Sequence, residues 1–192
     1  KIVGPAGIRD FFEFQLKAFK KELEGRKNWE VRPNKKGLLY EICEVDKDYI
    51  YEDKIAQISP FEVDHKPVEP AYGYKLEFNE GGNNKKIIIS GDTRKSKNLI
   101  ENSFKANALV HEVFLGLDFD EKRMTQQTVR NISDYHTLPK EVGEVAQEAL
   151  VEKLILTHFV PPVFDEEELK AEIEKTYKGD IVIGKDLLDI EI

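Results

Sequence analysis

A chain of 192 residues, 34% charged and 40% hydrophobic, has the length and apolar content of one well-cored domain, which buries roughly 70% of its unfolded surface without staples. The single Cys43 excludes a disulfide framework and any cysteine-built metal site, and no apolar run approaches the ~20 residues of a membrane span. With 29 basic against 37 acidic residues and a net charge of −8, the chain lacks the basic excess of a dedicated nucleic-acid binder.

Taken in chain order, Val3–Gly7 reads as a strand end and turn. An amphipathic helix follows to about Glu24, with Ile8, Phe11, Phe12, Leu16, Phe19 and Leu23 on one core-facing stripe and Gly25 as its stop. Leu38–Val45, Tyr49–Tyr51, Ile55–Val63 and Tyr72–Phe78 read as short strands. Glu80-Gly81-Gly82-Asn83-Asn84 signals a tight hairpin from the last of these into Lys86–Ser90, so the middle of the chain is expected to be antiparallel. The remainder alternates. Ile87–Ile89, Ala108–Val110 and Lys153–Thr157 are expected as buried strands. Between and after them come a helix holding Leu99, Ile100 and Phe104, a helix capped by Thr137 and entered at Pro139 with Val142, Val145, Ala146 and Ala149 inward, and a helix over Glu166–Tyr177. Ile181–Ile183 and Leu187–Ile192 close the chain as strands. The short basic runs at Lys17–Lys21, Lys35–Lys36, Lys85–Lys86 and Arg94–Lys97 read as solvated rims. No boundary divides the chain, so residues 1–192 are expected to form a single α/β domain, a sheet with helices against it.

The placement of the four histidines carries the chemistry. His111 and His158 each follow an apolar strand, Ala108–Val110 and Leu154–Thr157, and Asp92 follows Ile87–Ile89 through Ser90-Gly91. The carboxyl ends of parallel strands emerge on one edge, where reacting groups collect. His65 follows Phe61–Val63 and His136 precedes the capped helix, so both can reach that rim. Imidazole and carboxylate form the donor set for zinc or a similar divalent ion, and a carboxylate that bridges two ions makes a hydroxide nucleophile available at neutral pH. A hydrogen-bonded structural histidine is the competing reading at each position.

These residues resemble the metallo-β-lactamase superfamily, in particular its ribonuclease Z-like branch. The resemblance lies in Val63-Asp64-His65 through Pro70-Ala71-Tyr72-Gly73-Tyr74-Lys75, in Ile89-Ser90-Gly91-Asp92-Thr93-Arg94, in Val110-His111-Glu112-Val113, and in Tyr135-His136-Thr137 through Thr157-His158-Phe159, with Val3–Ile8 matching an early turn and helix. It implies an αββα sandwich, two mixed sheets with outer helices. It implies that His65, Asp92 and His158 are metal ligands, Asp92 bridging two zinc ions, and that a metal-bound hydroxide attacks an ester or phosphodiester. His136 resembles the histidine that protonates the leaving oxygen, and Glu112 the acidic group that orients it. His111 is left as structural or supporting.

Two departures shape the expectations. The family's His-x-His-x-Asp-His block is absent, and the chain opens at Lys1 without Met, so the fold is expected to be incomplete on its N-terminal side and completed by an N-terminal segment or a homo-oligomer. The alternative is an inactive module of this fold that acts through assembly with a partner chain. The long arm that ribonuclease Z enzymes use to grip transfer RNA has no counterpart between Phe78 and Ile87. With the negative charge, this favours a small-molecule ester or phosphodiester substrate over RNA. No membrane association and a cytoplasmic location complete the expectations.

Overall fold

A computed structural model describes residues 1–30, 39–46, 48–116 and 124–192. The chain divides into two compact units, Lys1–Asp46 and Lys47–Ile192. Lys35–Lys36 and Leu38, assigned above to a basic rim and a strand start, lie outside the described residues. Among the described residues no helix is long and apolar enough to cross a membrane.

In the first unit, β1 (Ile2–Gly4) pairs in parallel with β2 (Ile42–Glu44). The expected single helix is two, α1 (Ile8–Ala18) and α2 (Lys20–Trp29), meeting at Phe19. The Glu44 carboxylate caps the start of α1, its Oε1 accepting from Gly7 N at 2.8 Å and Arg9 N at 3.3 Å. Gly25 does not stop the helix, and the i,i+4 ion pair of Arg26 with Glu22 at 2.8 Å spans it. Nor does the apolar stripe enter a core. No residue of α1 or α2 is buried, and Phe11 remains 60% exposed among the described residues.

The described residues of the second unit build a sheet of seven strands: β3 (Tyr51–Glu52), β4 (Ala56–Glu62), β5 (Tyr72–Glu80), β6 (Asn83–Ile89), β7 (Ala108–Phe114), β8 (Lys153–Val160) and β9 (Asp180–Ile183), adjacent in that order. Pairing is antiparallel from β3 to β6 and parallel from β6 to β9. The β5–β6 connection is the tight turn expected, closing on Glu80 opposite Asn83. Helices α3 (Lys97–Ser103), α4 (Gln126–Ser133), α5 (Pro139–Glu148) and α6 (Glu166–Ile173) supply the connections among the parallel strands. A mixed sheet with helical crossovers is the α/β class the sequence implies.

The core lies on one face of this sheet. Ile88, Leu109, Leu154 and Leu156 point into it with Leu99 of α3, Val142, Val145 and Ala146 of α5 and Ile173 of α6, all fully buried. The opposite face carries cross-strand partners such as Ile58, Leu76 and Ile87, half-buried, with Ile89 39% exposed. The unbroken Ile87–Ile89 run is therefore not buried on both faces, because successive residues of a strand alternate sides.

Several boundaries differ from the expected ones. β7 and β8 run past Val110 and Thr157, so His111 and His158 lie inside strands rather than beyond them. α4 was not anticipated. Thr137 is not the cap of α5; that position is Leu138, whose N–H donates to Glu141 Oε2 at 3.1 Å. Phe104 terminates α3 and is 47% exposed. Leu187–Ile192 forms no strand, and Leu187 is fully exposed in a left-handed turn at φ 63°.

The α5–α6 packing yields a test. A Cβ on Gly143 would press on Thr176 Oγ1 and sit 2.8 Å from the backbone carbonyl of Ile173, which cannot swing aside. Gly143→Ala, usually a gain inside a helix, should destabilise this protein by about 1–3 kcal/mol, read as a lower melting temperature.

Candidate metal centre

Glu112 sits in the middle of β7 and is 1% exposed. Its Oε1 accepts from Thr93 N at 3.2 Å, Thr137 N at 3.1 Å and His136 Nδ1 at 3.0 Å. The first is on the loop after β6, the others on the loop that leads into α5. One carboxylate oxygen thus fixes two loops and one imidazole. Its Oε2 is buried with no hydrogen-bond partner. Since His136 donates through Nδ1 to the carboxylate, its Nε2 is the nitrogen left for other work.

Around this pair gather the other expected residues. His65, on the β4–β5 loop, donates Nδ1–H to the Tyr135 carbonyl at 2.9 Å, and its ring stands edge-on to His136 with centroids 5.0 Å apart. Asp92 is delivered by a turn at Gly91, where φ is +63° and a Cβ would lie 2.6 Å from the Tyr72 carbonyl oxygen, so only glycine fits. His158 Nδ1 lies 3.6 Å from Asp92 Oδ1, and its ring stacks at 5.9 Å on His136, which also stacks on Phe114 at 5.8 Å.

His158 reaches this position through a β-bulge. Glu112 pairs with Thr157 and Val113 with Phe159, so His158 is the extra residue opposite the step between them, and its φ is +46°. A non-glycine residue in the left-handed region costs roughly 1–2 kcal/mol, and bulges are a common means of re-aiming a side chain.

Two donor groups result: His65, Asp92 and His136, and Glu112, His136 and His158, each offering ligand atoms within 4.8 Å of one another. Imidazole nitrogens and carboxylate oxygens are the donors a hydrolytic divalent metal takes. The His65 arrangement, Nδ1 held by a carbonyl and Nε2 free, is how metal-binding histidines are commonly oriented. The buried, unpartnered Glu112 Oε2 is a further sign of a cationic neighbour. The residues present therefore fit a metal centre.

All five residues expected to act, His65, Asp92, Glu112, His136 and His158, are brought together. His111 joins neither donor group. It is fully buried, its Nδ1 meets the Glu112 carbonyl oxygen at 2.6 Å, and burial pushes its pKa below the ordinary histidine value. Its expected strand-end position fails because β7 continues past it. Sequence reasoning missed Thr93 and Thr137. Thr137, read as a helix cap, instead donates its hydroxyl to the Thr93 carbonyl at 2.6 Å. Tyr135 was also missed, although it directly precedes the catalytic candidate His136.

Known proteins fit this geometry. No family model matches the chain. Among solved structures, the metallo-β-lactamase fold protein YhfI from Bacillus subtilis superposes with a TM-score of 0.57 at 22% identity, covering 77% of this chain and 56% of that one. The short form of human tRNase Z superposes at 0.56 and 20% identity, covering 100% and 66%. Among curated sequences, a putative ribonuclease Z of Mycobacterium tuberculosis is 30% identical over 193 residues, covering 100% of this chain and 83% of that protein. The ribonuclease Z of Mycobacterium marinum is 29% identical, covering 100% and 67%; the chain spans about two thirds of the length of most such relatives. Fold and donor groups together define a metal-dependent hydrolase of the metallo-β-lactamase superfamily. Within it, the chain belongs to the ribonuclease Z family.

This overturns the expected partners. A small-molecule substrate with RNA disfavoured conflicts with relatives named as ribonucleases. A net charge of −8 is summed over the whole chain, whereas phosphodiester recognition depends on the local field of the site, to which bound cations contribute most. The short β5–β6 hairpin removes one means of holding RNA and leaves others open.

The bulge generates a prediction. In metal-free protein, His158→Gly should match or exceed the wild-type melting temperature, while His158→Ala should fall about 1 kcal/mol below the glycine variant. Thermal melts of the two variants side by side check this.

Proposed function

We propose that this chain carries the substrate-facing metal site of a zinc-dependent phosphodiesterase that cleaves RNA, with two ions in the complete site. The observation that carries the proposal is the convergence of His65, Asp92, Glu112, His136 and His158 from five separate segments on one cluster of donor atoms. The names of the relatives support RNA as the substrate, and transfer RNA as the class of RNA.

In this reading His65, Asp92 and His158 would supply the donors that hold the ions. Bound zinc supplies charge neutralisation at the phosphate and an activated water at neutral pH. Hydrolysis forms a bond from the water oxygen to phosphorus and breaks the bond from phosphorus to the leaving ribose oxygen. His136 Nε2 donates the proton that the leaving oxygen needs. Glu112 holds the opposite nitrogen at 3.0 Å, which fixes the tautomer and stabilises the imidazolium before the proton is given up. Burial of the pair, His136 at 7% and Glu112 at 1% exposure, keeps water from competing for that hydrogen bond.

In the complete protein, His136→Ala should retain metal, measured by elemental analysis, and lose roughly 10²–10⁴-fold in RNA cleavage rate. Asp92→Ala should lose both metal and cleavage. Undiminished turnover in the Asp92 variant, or a wild type that leaves RNA intact while cleaving small esters, would overturn the reading.

A further inference from the structure

Arg94 lies two residues beyond Asp92, and its backbone N–H and its guanidinium both reach the loop that carries His65. Its backbone N–H donates to the Asp64 carbonyl at 2.9 Å, its Nη2 donates to the Lys66 carbonyl at 2.9 Å, and its Nη1 lies 3.7 Å from Asp64 Oδ2. The residues held are those on either side of His65. The buried Nε has no partner, so the guanidinium is seated in the protein and turned toward this one loop.

We propose that Arg94 is a positioning residue that clamps the His65 loop against the Asp92 turn and so fixes the spacing of those two ligands. The inference deepens the metal-site reading and rests on it for the ion itself. A loop of this length gains little order from its own bonds: Val63 N to the Ala71 carbonyl closes it at 3.0 Å, Val68 N to the His65 carbonyl makes one turn at 2.9 Å, and the His65 ring meets Tyr135. Leaving the flanking residues free means that the entropic cost of ordering them falls on metal binding. The planar guanidinium holds its N–H groups in a fixed fork that faces the Asp64 side chain and the Lys66 carbonyl together, whereas a lysine ammonium carries its three donors at one point on a flexible stem.

The test uses two readouts on the complete protein. The first is amide hydrogen exchange of the metal-free form. Arg94→Ala should speed exchange across residues 64–70 by about an order of magnitude or more, while the amides of β7 and β8 keep wild-type protection. The second is a cobalt(II) titration followed by its visible absorption. Affinity for the ion that includes His65 should fall about 10–100-fold. Arg94→Lys, which keeps the charge, should reproduce both defects, and millimolar guanidinium should partly reverse them in Arg94→Ala. Wild-type loop protection and wild-type cobalt affinity in either folded variant overturn the inference. If Arg94→Ala does not fold, Arg94→Lys decides. If the unsubstituted protein takes up no cobalt, the metal-site reading fails, and the exchange data alone decide whether Arg94 clamps the loop.

Discussion

A carboxylate in the middle of a sheet, out of reach of solvent, is unstable unless hydrogen bonds replace the water it has lost. Glu112 meets this demand by drawing two backbone amides and one imidazole onto a single oxygen, and the remainder of the site is arranged by that demand. Thr93 brings the Asp92 turn with it, and Thr137 brings His136. The Thr137 hydroxyl then ties the two loops directly. The Asp92 turn and the His136 loop are therefore both fixed to one residue of a rigid strand. The other carboxylate oxygen stays unsatisfied, and such a group persists where a cation or proton donor comes to it during function.

Much of the fold could be read from pattern alone, and the failures have definite causes. The helices that pack on the sheet were legible because Val142, Val145, Ala146 and Ala149 recur at helical spacing beside Pro139, and all are fully buried. The β5–β6 hairpin was legible because consecutive glycines between alternating strands admit few other conformations. The stripe on α1 was misread because periodicity shows that a helix has an apolar face and says nothing about whether a second layer meets it. β7 was cut short because His111-Glu112 looked too polar to continue a buried strand. In fact His111 is fully buried with its Nδ1 on the Glu112 carbonyl oxygen, and one oxygen of Glu112 accepts from three donors, which no local pattern reveals.

The site divides in the same way. Asp92 could be found from its place after an apolar strand and a glycine turn. Glu112, and its pairing with His136, could be named only through family resemblance, since the two are 24 residues apart and their hydrogen bond depends on how the α4–α5 segment returns to β7. The substrate was misjudged because net charge was allowed to stand for local field. Phosphodiester chemistry at a metal centre needs little basic side-chain surface when the cations themselves carry the charge.

The bulge in β8 has an implication for how such a sequence can change. With His158 as the surplus residue, the strand is one position longer than its neighbour requires. A deletion of one residue there would restore an unbroken ladder and remove the left-handed backbone at the same stroke. The regular strand is the cheaper structure, and the irregular one presents an imidazole to the donor cluster. Drift toward stability at this position would run against function, so copies of this fold released from catalysis should tend to lose the bulge first.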